Sequence, residues 1–94
     1  MSQIKQLLEN ETTPLRHRAE AVAAAVIAEL NRRGYRFVVE DGEPYLISRD
    51  YQIIHVCQRN TTYRALLFSL GIVPRIPQPI WEKICFEIVK CCYQ

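Results

Sequence analysis

A chain of 94 residues that is 49% apolar and 23% charged can bury one small core, which excludes both a multidomain enzyme and a disordered tail. Its net charge of +2 is too small to raise a strongly basic field, although nine of its 12 cations are arginine, whose planar fork suits phosphate or carboxylate. No apolar run is long enough to span a bilayer, and the start, MSQIKQLLENETTPLRHR, lacks the apolar centre of a signal peptide. A cytoplasmic chain without membrane contact is therefore expected, with Cys57, Cys85, Cys91 and Cys92 as thiols.

Residues 1–94 are read as a single domain, with 1–12 as an N-terminal segment prone to fray, in which Gln3 to Glu9 can form a short helical turn with Ile4, Leu7 and Leu8 inward. TTPLRHRAEAVAAAVIAELNRRG then predicts a long helix. Thr13 can cap it, Pro14 suits its first position, and Gly34 can take the left-handed conformation that ends it. Leu15, Ala19, Val22, Val26 and Leu30 form its apolar stripe.

Beyond Gly34 the apolar period becomes two residues. YRFVVE, PYLIS and YQIIHVC are rich in aromatic and β-branched residues and predict a three-stranded antiparallel meander. NTTYRALLFSLG predicts a short helix capped by Asn60 or Thr61 and stopped at Gly71. Pro74 and Pro77 then make IVPRIPQ a stiff connector. Pro79 opens a last helix, PIWEKICFEIVKCCYQ, whose apolar arc is so wide that it must be deeply packed or covered by another molecule. The expected class is α+β: a long N-terminal helix, a three-stranded antiparallel meander and two C-terminal helices.

Loop length decides which side chains share a sheet face, because a change of one residue inverts the facing of the next strand. A two-residue loop at Asp41-Gly42 places Val38 opposite Tyr45 and parts the aromatic residues. A three-residue loop Glu40-Asp41-Gly42 places Phe37 opposite Tyr45, and a loop Ser48-Arg49-Asp50 then places Tyr45 opposite Ile53. The three-residue reading is preferred because it gathers Tyr35, Phe37, Val39, Tyr45, Ile47, Tyr51, Ile53, His55 and Cys57 on one face. That face would cover the core. Arg36, Val38, Glu40, Leu46, Gln52, Ile54, Val56 and Gln58 would form the other, a candidate interaction surface.

No local pattern names a reaction. The cysteines and His55 lack metal-ligand spacing, the glycines are scattered singly, and no nucleophile has a motif around it, so no catalytic residue, metal or cofactor is expected. Arg32, Arg33 and Arg36 cluster where the first helix meets the first strand, while Arg59 and Arg64 lie beside the amide-rich start of the NTTYR helix, where an anion is favoured.

GEPYLISRDYQIIHV, then YRALLFSLGIVP, then IWEKICFEIV resembles a segment in primase–helicase proteins of phages and mobile elements. In those proteins, the resemblance implies, a strand pair and two helices lie between or beside the replication domains. It spans Gly42 to Val89 and carries no site residue across, since the primase and helicase motifs are missing here. The implied role is that of a small accessory module.

The leading expectation is a non-catalytic accessory protein that binds DNA or RNA through Arg32, Arg33, Arg36, Arg59 and Arg64, in replication of a phage or mobile element. The alternative is a protein-interaction or self-association module, a homodimer included. It would use a sheet edge, the face around Leu46, or the last helix around Trp81.

Overall fold

The computed structural model describes residues 3–9 and 14–94. In chain order these form α1 (Gln3–Glu9), α2 (Leu15–Arg32), β1 (Arg36–Glu40), β2 (Glu43–Ile47), β3 (Ile53–His55), α3 (Thr61–Ser69) and α4 (Gln78–Cys92). The strands form one antiparallel sheet in the order β1-β2-β3. The α+β meander with two C-terminal helices is thus present, and the long helix is the 18-residue α2, preceded by the short α1.

Helix ends follow local chemistry. Beyond α2, the amide of Gly34 donates to the Asn31 carbonyl and that of Tyr35 to Leu30, both at 3.0 Å, while Gly34 adopts φ +87°. This pair of bonds satisfies two carbonyls that the helix leaves over, in a backbone conformation that a side chain disfavours. The same pair of bonds closes α3, from Gly71 to Phe68 and from Ile72 to Leu67. Asn60 caps the start of α3 by accepting from the Thr62 amide at 3.0 Å. Pro14 occupies the N-cap of α2 rather than its first turn, and the cap assigned to Thr13 lies outside the described residues.

The core lies between α2, α4 and one face of the sheet. From α2 come Ala19, Val22, Ala23, Val26 and Leu30; Leu15, placed on the apolar stripe by its spacing, is instead 38% exposed. From α4 come Ile80, Trp81, Ile84, Ile88 and Cys92, and from α3 Tyr63, Leu66 and Leu67. The small alanines of α2 let α4 pack closely along it. Ile4 of α1 is buried, with Leu7 and Leu8 packed behind it.

The register corrects the expected sheet faces. Val38 lies opposite Tyr45 and Glu40 opposite Glu43, so Asp41-Gly42 is a two-residue loop. Both residues have positive φ, +53° and +78°. This is the turn whose twist matches that of the flanking strands, and Asp-Gly is among its preferred pairs. The inner face therefore carries Phe37, Pro44, Leu46, Ile54 and Val56, with Leu46 fully buried. The outer face carries Arg36, Val38, Glu40, Glu43, Tyr45, Ile47, Ile53 and His55. Leu46, assigned to an interaction surface from the sequence, is a core residue.

The second loop keeps the expected odd parity but shifts by two residues: Ile47 pairs with Ile53 and Tyr45 with His55. Ser48 donates from its amide to the Gln52 carbonyl at 2.9 Å, and its carbonyl accepts from the Tyr51 amide at 3.0 Å. Arg49, Asp50 and Tyr51 thus form the loop, with Tyr51 in the left-handed region at φ +68°. The buried Ser48 hydroxyl donates to the Asp50 carboxylate and accepts from the Gln52 amide at 2.9 Å. These bonds satisfy the polar groups of the turn where it leaves the sheet.

Candidate interaction surface

Because the helices occupy the inner face, the outer face of the sheet has an unusual composition for a solvated surface. Val38, Tyr45 and Ile47 are half-buried, and Ile53 beside them is 66% exposed. The Tyr45 and His55 rings pack at 5.1 Å between centroids, and the outer nitrogen of His55 lies 3.5 Å from a Glu43 carboxylate oxygen. Cross-strand neighbours of this kind hold a face rigid.

Tyr51, in the loop that leads into β3, is 79% exposed. A bulky residue in the left-handed region costs about 1–2 kcal/mol, a strain that observed structures concentrate at binding sites. Its neighbour Arg49 lays its guanidinium against Gly34, where a Cβ would come within 2.6 Å of Nε. The cation sits at the C-terminal end of α2, where the helix dipole favours it. Gly34 is thus needed both for its φ and for the approach of this side chain.

The arginines singled out in the sequence do not form one patch. Arg32 and Arg33 share Glu29: Arg32 makes a two-pronged contact with its carboxylate, and Arg33 Nε lies 3.9 Å away. The Arg32 hydrogen bond holds the Glu29 carboxyl below the usual carboxylate range, with the charges of Arg32 and Arg33 adding to it. Arg36 projects from the outer face opposite Ile47 and is exposed.

Arg64 is committed elsewhere. Its guanidinium stacks 4.3 Å from the centroid of the Trp81 ring and 5.9 Å from that of Phe68, and donates to the Gln58 carbonyl at 3.2 Å. Such a partly desolvated cation–ring contact is worth about 1–2 kcal/mol, so Arg64 is a structural clamp on α3 and α4. Arg59, next to it in the β3–α3 turn, is exposed. That turn lies at the opposite end of β3 from Arg49, so the arginines divide between the two ends of the sheet.

Trp81 is 2% exposed and is not available to a partner. The wide apolar arc of α4 is explained by deep packing against α2 and the sheet. Phe86 is exposed on its outer side, but Lys83 and Lys90 lie over its ring, 5.7 and 5.3 Å from the centroid, both held by Glu87. Tyr93, beyond α4, spends its hydroxyl on the Gly42 carbonyl at 2.6 Å and ties the helix end to the first hairpin.

The cysteines are free: Cys57, Cys85 and Cys91 are half-buried and Cys92 is buried. Burial pushes the Cys85 and Cys92 thiols up, as it does the phenol of the fully buried Tyr63 beside Cys85. Groups displaced in this direction are poor nucleophiles and poor metal ligands. Among the described residues no three His, Cys, Asp or Glu side chains gather around one point, and no helix is long and apolar enough to cross a membrane.

The sheet face is the most distinctive feature these residues assemble. The chain matches no family model, no characterised protein and no solved structure. Sequence reasoning missed the outer face because it placed the same residues, Tyr45, Ile47 and Ile53, in the core. The readable signal was His55, which any register of β2 and β3 with odd parity puts on that face and which a fully apolar core accommodates poorly.

Proposed function

We propose that this chain is a non-catalytic interaction domain that presents the outer face of its sheet to another protein. The observation that carries the reading is the uncovered stripe of Val38, Tyr45, Ile47 and Ile53, with the strained and exposed Tyr51 in the loop next to Ile53. Aromatic and branched residues with a charged rim are what protein interfaces use at their centres.

Three features favour a protein over DNA or RNA. Glu40 and Glu43 stand on the same face and would repel phosphates. Arg32 and Arg33 are engaged by Glu29, and Arg64 by Trp81. Arg36 and Arg59 belong to different ends of the sheet, too far apart to follow one phosphate run together with their neighbours. The resemblance to primase–helicase segments points to a replication protein as the partner.

Crosslinking from a defined position tests this. A photoreactive amino acid replacing Ile53 is expected to capture one discrete protein in the expressing cell, whereas the same group replacing Glu20, on the exposed side of α2, captures none. Identical products from both positions would refute the reading. So would tight binding of the purified chain to an oligonucleotide that weakens steeply with salt, which would restore the nucleic-acid alternative.

A further inference from the structure

The two edges of the sheet differ in a way that outer-face binding does not require. The β3 edge is three residues long, and its outward carbonyl at His55 is taken by the Asn60 side chain at 2.9 Å. The β1 edge runs for five residues, Arg36 to Glu40, with no proline, lysine or bulge among them. Proteins normally blunt an open edge with such devices.

The ladder fixes which backbone groups that edge presents. Glu40 and Glu43 close the two-residue turn as a hydrogen-bonded pair, so Val38–Tyr45 and Arg36–Ile47 are hydrogen-bonded pairs as well. Phe37 and Val39 must then point their N–H and C=O groups away from β2. The partner of Val39 agrees: the Pro44 carbonyl faces β3, where it accepts from the Val56 amide at 3.0 Å. Among the described residues none hydrogen-bonds to the outward groups of Phe37 and Val39.

The sequence of this edge, RFVVE, is self-complementary under a two-fold axis. Antiparallel pairing centred on Val38 sets Val38 against Val38, Phe37 against Val39 and Arg36 against Glu40 of the second copy. Phe37 and Val39 then exchange all four of the outward backbone bonds. Arg36 and Glu40 stand on the outer face in the closely spaced type of pair, with Cα atoms about 4.5 Å apart, and form two ion pairs. A slip of one residue would require Val38 to use groups already bonded to β2. A slip of two leaves Arg36 or Glu40 opposite Val38. Only one register satisfies both backbone and charge.

We propose that two copies of this chain associate through β1, forming a continuous six-stranded antiparallel sheet. The interface is isologous, as a two-fold dimer requires. It deepens the proposed function by doubling the outer face into one platform with the two Val38 residues at its centre, but it stands on the edge and not on that face.

Charge exchange tests the register directly, with mass measured by light scattering or sedimentation on the full chain. The unaltered chain is expected at twice its 11.0 kDa. Arg36→Glu opposes glutamates across the axis and Glu40→Arg opposes arginines, so each variant alone should be monomeric, with circular dichroism unchanged. The double variant Arg36→Glu/Glu40→Arg should dimerise again. An equimolar mixture of the two single variants should also dimerise, because an all-glutamate edge then meets an all-arginine edge.

A monomeric unaltered chain, single variants that remain dimeric, or failure of either rescue would overturn the proposal. Ile53→Asp should leave the dimer mass unchanged. Failure of the charge exchange with Ile53 crosslinking intact would thus remove the dimer and leave the outer-face reading, and the converse result would do the opposite.

Discussion

Replacing Tyr51 by glycine should make the protein more stable, although it deletes the largest side chain of its loop. The backbone sits at φ +68°, which costs a residue with a Cβ about 1–2 kcal/mol. The ring is 79% exposed, so little burial is lost. Glycine's additional freedom in the unfolded chain gives back about 0.5–1 kcal/mol, leaving a net gain of about 0.75 kcal/mol at the middle of the two ranges. For a domain of this size that raises Tm by about 3–6 °C. Tyr51→Ala is the control, since it removes the ring and keeps the strained backbone. Urea unfolding should place Tyr51→Gly above the natural chain and Tyr51→Ala at or below it, with equal slopes for all three. A glycine variant no more stable than the alanine one would refute the backbone argument. The proposed function adds a second readout, because both variants should weaken capture from position 53. A side chain retained at the expense of stability is expected where it serves binding.

The register makes a prediction that needs no ligand. Leu46→Ala should cost about 2–5 kcal/mol, as large-to-small changes at fully buried sites do, whereas Ile53→Ala should stay within about 0.5 kcal/mol; the reverse order in urea unfolding would reinstate the aromatic face as the core. Acid stability probes the second hairpin. The Ser48 hydroxyl, followed by the backbone amide, holds the Asp50 carboxyl below its ordinary range. A lowered folded-state value stabilises above the unfolded value, about 3.9, and that contribution is lost as pH falls through the folded one. Ser48→Ala should therefore flatten the loss of stability below about pH 4, with the part due to Glu29 and Glu87, which are also depressed, remaining. An unchanged acid limb in thermal unfolding would show that the Ser48 hydroxyl does not hold the carboxyl.

The start of α3 and the ends of α2 and α3 were legible because their signals are local. Asn60 bonds an amide two residues away, and Gly34 and Gly71 close turns through carbonyls a few residues back, so nothing distant can overrule them. The sheet faces were not legible in the same way. Asp41-Gly42 is compatible with a two- or three-residue loop, and the choice depends on the twist of the strands on either side and on what the helices need beneath them. Grouping the largest side chains gave the wrong answer because compact branched residues, Leu46, Ile54 and Val56, fill the space under α2 and α4. The second loop has the expected parity but lies two residues away in register, because its left-handed position holds tyrosine where glycine would mark it.

The arginine-rich composition misled for a related reason: a residue type says what a side chain can bind, and the fold decides what it meets first. Arg64 meets Trp81, Arg49 meets the end of α2, and Arg32 and Arg33 meet Glu29. Arg36 is the one on which the remaining readings diverge. If it contacts phosphate, Arg36→Glu weakens nucleic-acid binding and a further Glu40→Arg change restores at most net charge, with no dependence on a second chain. If it pairs across β1, the effect appears in mass, and a chain carrying Glu40→Arg repairs it in trans. Coulomb attraction alone is tolerant of position, whereas an antiparallel ladder pairs residue 36 with residue 40 and no other. Moving the compensating arginine to position 43, beside residue 40 on β2 but off the edge, therefore separates the two: general electrostatics would be restored, and the strand pairing would not.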